Sequence, residues 1–333
     1  MNKKLISLIL ALVLALLVIP MAGGMAEEDK IVIACAHRNL LGASGANFRA
    51  AYYYTADQEG VEIMFKDANG DVEVQANYLE DCIASGTVDA IIVWAADPDG
   101  ISGTVQQCTD AGIPVITVDI RLTAESRAFV AASNYNLGVM AGESAVEFLT
   151  AKYGAPKGTI YGASSEILSS CRDRDAGFLS VIQQYPDIKW DCYYMPTTTI
   201  DDGVALADDL IQRFPEGTVD VYYGGLISPV LGLISAAQTY NRTDFAVVGG
   251  FDYNDTFVEE LSKGKGNSVL YSFTAQDCFA IGSAAMQAAI KCAKGEELEA
   301  TELLIDGDLV TVDNLQEYLA KYNRAQEIIA SYQ

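Results

Sequence analysis

The chain has 333 residues, half of them apolar and a fifth charged, with 21 Lys and Arg against 45 Asp and Glu for a formal charge of −24. That balance argues against DNA, RNA or anionic lipid as partners, and the composition is that of a globular protein with a large core. One histidine, His37, and seven scattered cysteines without zinc spacing exclude a His-rich or Cys-cluster site, so neither metal nor cofactor is expected.

Met1–Ala26 reads as an export signal, with Asn2-Lys3-Lys4 basic, Leu5–Ile19 apolar, and small residues at Gly24 and Ala26 before a cleavage point near Ala26. The apolar run is short for a spanning helix, which needs ~20 residues. With no Cys beside the cleavage point for a lipid anchor, the mature chain is expected to be soluble and periplasmic or extracellular. It is long enough for roughly two domains.

Ten short apolar runs follow in order: Lys30–Ala36, Val61–Lys66, Ala90–Ala96, Pro114–Ile120, Ala128–Asn134, Gly158–Ala163, Lys189–Met195, Asp220–Gly224, Phe245–Phe251 and Ser268–Thr274. They lack clean alternation, as parallel strands covered on both faces do. Amphipathic helical patterns fill the gaps: Leu137, Met140, Ala141, Ala145, Phe148 and Leu149 form one apolar stripe, and Val204, Ala207, Leu210, Ile211 and Phe214 another. So many strands exceed one open sheet, and the fold class is α/β, with two doubly wound, Rossmann-like parallel-sheet lobes. Asp119–Asn134 holds two strands with no helix between them, a natural place to change lobes. Cys82 and Cys108 fall on consecutive helices and are the first pair to check for oxidation; buried thiols packing as hydrophobes are the alternative.

Open parallel sheets bind ligands beyond the carboxyl ends of their strands. The polar residues there are Asn39 after the first strand, Trp94 and Asp97 at the third, and Asp119 with Arg121 at the fourth. Arg172, Arg174, Asp252 and Gln276 hold the matching places in the second half. Such groups suit a ligand with many hydroxyls, because charged partners make the stronger hydrogen bonds. Any one carboxylate could instead cap the next helix.

Gly112–Asp119 (GIPVITVD), Ser170–Phe178 (SCRDRDAGF), Val247–Asp252 (VVGGFD), Ala275–Asp277 (AQD) and the tail Leu309–Asn314 (LVTVDN) stand in an order and spacing that resemble a type I periplasmic binding protein of the ribose/galactose class. The resemblance covers nearly all of Lys30–Leu319. It implies two lobes joined by a three-segment hinge, with residues 27–133 and 277–305 in the N-terminal lobe and 134–276 and 306–333 in the C-terminal lobe. The lobes would close on one small molecule in the cleft between them and deliver it unchanged to an ABC transporter permease. It also implies that Asn39, Asp119, Arg174, Asp252 and Gln276 hydrogen-bond ligand hydroxyls. Sugar-binding members carry an Asn-Pro-Phe-Phe-like first loop whose rings sandwich the sugar. Here the loop from His37 to Gly42 is about three residues longer and has no ring, Ile120 follows Asp119, and Thr198 and Leu226 stand where an aromatic and an Asn are expected. These departures count against an ordinary pentose pocket, and Trp94, Tyr223 and Phe251 are candidates for replacement stacking faces.

Arg38, Arg121, Arg172 and Arg174 are four of nine Arg, and Arg forks suit carboxylates, so a sugar acid stands beside neutral sugars and polyols as a candidate ligand. The reading is therefore a monomeric, non-enzymatic, exported solute-binding protein, with Asn39, Asp119, Arg174, Asp252, Gln276, Arg121, Trp94 and Arg38 as site residues. An exported sensor that shows its closed form to a membrane receptor uses the same fold, and an enzyme on this fold is the remaining alternative. Asp252→Ala and Arg174→Ala are expected to weaken binding by roughly 1.5–3 kcal/mol while leaving the ligand-free melting temperature nearly unchanged.

Overall fold

A computed structural model describes residues 30–40 and 42–332, so the expected export signal lies outside the described residues. The first four strands alternate with three helices, β1 (Val32–His37), α1 (Gly42–Glu59), β2 (Glu62–Asp67), α2 (Val72–Ser85), β3 (Ala90–Val93), α3 (Pro98–Asp110) and β4 (Val115–Val118), followed directly by β5 (Ala128–Ala132). Every residue of β3 and β4 is buried, which is why those runs are continuously apolar. The chain then crosses into a second lobe, made of α4 (Asn134–Tyr153), β6 (Gly158–Ser164), α5 (Ser169–Ile182), β7 (Ile188–Tyr194), α6 (Ile200–Arg213), β8 (Val221–Gly224), α7 (Ile227–Thr239), β9 (Ala246–Gly249), α8 (Asp255–Ser262) and β10 (Ser272–Ala275).

It returns through α9 (Cys278–Ala293) and β11 (Glu302–Ile305), crosses back to β12 (Asp308–Thr311), and ends in α10 (Leu315–Ser331). β11 pairs with β5, giving a six-stranded parallel sheet in the order β11-β5-β4-β3-β1-β2. The second sheet runs β7-β6-β8-β9, and β10 pairs antiparallel with β12 beside it, joined to β9 by a bridge from Val247 to Leu270. Three chain segments thus connect two Rossmann-like lobes. Two of them meet closely: a Cβ on Gly307 would stand 2.2 Å from the Ala275 carbonyl oxygen. Asn136 Nδ2 donates to Asp306 Oδ1 at 3.0 Å, tying the first segment to the third.

Among the described residues no helix is long and apolar enough to cross a membrane. All seven cysteines are free thiols, and Cys82 and Cys108 lie in one apolar cluster under the first sheet. α10 belongs to neither lobe alone. Leu315 and Tyr318 are buried in the second lobe's core, whereas Tyr332, just past its end, donates to Asp57 of α1 at 2.8 Å.

Candidate ligand-binding site

Asp119, the residue after β4, is a non-glycine held at φ 62°. Beyond β9, Phe251 has the same φ of 62°. Left-handed backbone is unfavourable for such side chains and concentrates at functional sites. Asp252 follows Phe251 directly, and its carboxyl feels the charge of Asp119 from the other lobe. Trp94, one residue past β3, donates its indole N–H to Asp119 Oδ2 at 3.3 Å, and the Arg38 guanidinium lies 6.0 Å from the Trp94 ring. From the second lobe, Gln276 Nε2 donates to Asp252 Oδ1 at 3.1 Å.

Arg174, on α5, is 5 % exposed. Its Nε donates to Asn134 Oδ1 at 2.8 Å, one Nη donates to the Gly225 carbonyl at 3.3 Å, and the guanidinium sits 4.6 Å from the Phe251 ring centre. Its charge acts on both acids. Burial pushes the Asp119 carboxyl up, opposed by Arg174, the Trp94 N–H and Arg38. Burial likewise pushes Asp252 up to about 6, against Arg174 and Gln276, and the charge on Asp119 adds to the rise. A first-lobe acid and a second-lobe acid therefore feel one buried cation, and Asn39 stands half-buried in the loop after β1.

The structure does not bring Arg121 to this group. At Asp119 the left-handed turn reverses the chain, with Ile120 N–H donating to the Val118 carbonyl at 2.6 Å. Arg121 then runs back over the sheet edge, 4.1 Å from the Phe129 ring and ion-paired to Glu302. Arg172 is committed to the carbonyls of Glu166 and Ile167. With these two withdrawn, an anionic ligand is left with only Arg38 and Arg174 of the four candidate Arg donors. Asp97 proves to be the N-cap of α3, accepting from Gly100 N–H at 2.7 Å. Tyr223 and Phe251 are fully buried, Tyr223 with its hydroxyl on Asp175, so neither offers a stacking face. Trp94 is 7 % exposed and packs on Phe48 and His37.

Asn134, which orients Arg174, is not among the sequence candidates although it follows a strand end as Asp119 does. Also missed were groups around a cavity of about 240 Å³ bordered by Asp252 and Gln276, by Ser44 and Asn47 of α1, and by Lys321 and Tyr322 of α10. A larger groove, about 1160 Å³, lies at the far end of the second lobe. Its cations are paired with acids, Lys152 to Asp220 and Arg242 to Asp244, and it stands away from the carboxyl ends of the strands.

A family model described as "Periplasmic binding protein domain" matches residues 46–297. A putative rhizopine-binding protein of Rhizobium meliloti is 27% identical over 308 residues, covering 87% of this chain and 96% of that protein. The ribose import binding protein RbsB of Escherichia coli (strain K12) is 25% identical over 301 residues, covering 90% and 95%. Among solved structures, an ABC transporter solute-binding protein of Bacillus halodurans C-125 with bound myo-inositol superposes with a TM-score of 0.73 at 25% identity, covering 88% of this chain and 98% of that one.

Proposed function

The chain belongs to the periplasmic binding protein domain family, and from that membership we propose that it is an exported, monomeric solute-binding protein that captures a neutral sugar or polyol by lobe closure and delivers it to an ABC permease. The observation that carries this reading is Arg174, buried in the second lobe with its charge acting on Asp119 of the first lobe and Asp252 of its own. Hydroxyls donating to both carboxylates join the two lobes through one guest, and hydrogen bonds to charged groups contribute roughly 1.5–3 kcal/mol each. A ligand that touches both lobes favours the closed arrangement over the open one. The acids outnumber the cations still unengaged, so a neutral guest is favoured over a sugar acid. Binding without turnover is part of the proposal: His37 is walled in by Phe65 and Trp94, and burial pushes its imidazole down to about 4.

A thermal-shift and calorimetry panel of glycerol, myo-inositol, D-ribose, D-allose and D-glucuronate tests this. At a hundredfold excess over Kd a true ligand stabilises the fold by about 2.7 kcal/mol. A neutral member should bind and be recovered unchanged; a panel in which only the glucuronate binds, or in which a bound sugar is consumed, rejects the proposal.

Asp252 should also show two opposed pH responses. Its carboxyl is raised from 3.8 to about 6, so the folded chain holds this proton more tightly than the unfolded one. Its contribution to ligand-free stability therefore grows as pH falls through that window. Affinity should fall over the same range, because the ionised carboxylate is the stronger acceptor. Unfolding and calorimetry across the range check both slopes, and Asp252→Asn should flatten both.

A further inference from the structure

Resting on that reading, we propose that the cavity between Asp252, Gln276 and α10 is a second subsite of the ligand site, which takes an uncharged, hydroxyl-rich extension of the ligand such as a second sugar ring. Asp119, Trp94 and Arg174 do not border this cavity, whereas Asp252 and Gln276 border it and also belong to their group. A guest that engages both sets must reach past a single ring. At about 240 Å³ the cavity is smaller than the ~300–1,000 Å³ that encloses a whole drug-sized ligand, so it suits one part of a guest.

Its walls come from both lobes and are held in place. α1 contributes short polar side chains, Ser44 and Asn47, in a region where the first loop brings no ring. α10 closes the opposite side. Lys321 is fixed between Asp277 at 3.0 Å and Asp308 at 2.7 Å, and Tyr322 stacks on Tyr253 with ring centres 3.8 Å apart and planes 6° apart. The charged groups of the lining are mostly acceptors, set beside the rings of Tyr253, Phe279 and Tyr318. Three carboxylates, Asp252, Asp277 and Asp308, line the space against one ammonium, and that ammonium is already shared by two of them. Hydroxyl donors complement such a lining, whereas a carboxylate or phosphate would meet unbalanced like charge.

Calorimetry on the full chain tests this with matched pairs: D-glucose against cellobiose, D-galactose against melibiose, and myo-inositol against galactinol, with cellobionate and melibionate as anionic arms. A neutral two-ring ligand is expected to bind at least ~10-fold more tightly than its single ring, and the anionic forms to lose that gain. Gln326→Trp, or Ala325→Leu should the first disturb α10, fills the cavity from a half-buried helix face. Either should remove the two-ring advantage and leave single-ring affinity unchanged. Single rings that bind as tightly as their glycosides, or a preference that survives both fillings, overturn the subsite alone. If no sugar or polyol of any length binds, the solute-binding reading falls and the subsite with it.

Discussion

Arg174→Ala is expected to lose ligand affinity by at least ~100-fold and, without any ligand, to unfold about 3–5 kcal/mol more easily than the parent, the scale for removing one partner of a buried charge cluster. This differs from the sequence expectation of an unchanged melting temperature, and burial is the reason. The guanidinium is 5 % exposed, anchored to Asn134 and to the Gly225 carbonyl, and laid over Phe251. Truncation leaves the Asn134 oxygen without its donor and the Gly225 carbonyl with only the Cys171 thiol, at 3.6 Å. It also leaves Asp119 and Asp252 facing each other without a buried cation. Both carboxyls already sit above their ordinary value and should climb further. A group raised in the fold gives stability back as the pH falls through its folded pKa, so the variant's deficit should be large near pH ~8 and shrink near pH ~5. Asp252→Ala should behave oppositely in the ligand-free state: it removes one of two repelling acids, so its melting temperature should match or exceed the parent's while affinity still falls. Urea unfolding at both pH values, with calorimetry, separates the two variants. An Arg174→Ala protein that unfolds and binds like the parent would remove Arg174 from the site.

How much was legible in advance depends on how local the cause is. The continuous apolar runs at β3, β4, β8 and β9 are visible because every residue in them is buried, so no polar side can interrupt the pattern. β11 and β12 were not anticipated as strands. Each is four residues long, β11 alternates between exposed and half-buried at a sheet edge, and both are defined by partners far back in the chain. The same division holds at the site. Asp119, Asp252 and Gln276 are polar residues just beyond the carboxyl ends of strands, which pattern alone reveals, whereas Arg174 lies within α5, ten residues past β6, where its motif rather than a strand end marks it; the structure brings the four together. Arg121 stands equally near a strand end, but a single left-handed residue before it reverses the chain, and no local pattern announces a positive φ at an Asp. The Ser44–Tyr322 cavity depends on α10 folding back across both lobes, a contact set by tertiary packing over more than 250 residues of chain.

The second large effect concerns a residue without a side chain. Gly138→Ala is expected to cost about 3 kcal/mol, the upper end of the usual overpacking range, and to weaken ligand binding by more than ~10-fold. α4 and α5 touch backbone to backbone: a Cβ on Gly138 would lie 1.9 Å from the Arg174 carbonyl oxygen, and one on Gly177 would lie 2.0 Å from the Tyr135 carbonyl oxygen. Real Cβ atoms essentially never come closer than 3.0 Å, and neither atom here is the end of a flexible side chain that can swing aside. The helices must therefore part by about 1 Å, forfeiting dispersion contacts along their whole seam. The atom struck belongs to Arg174 itself, so the shift draws that guanidinium off the 2.8 Å bond to Asn134, which opens α4. Gly103→Ala provides the contrast. That glycine lies on the exposed side of α3 with nothing within 4 Å of the added carbon, and there Ala should stabilise by about 0.5–1 kcal/mol through its better helix propensity. Urea midpoints for the two variants, with calorimetry on the first, decide the matter. A Gly138→Ala protein with the parent's midpoint would mean that α4 and α5 are not in backbone contact, and that Arg174 is not held from behind at the place where both lobes depend on it.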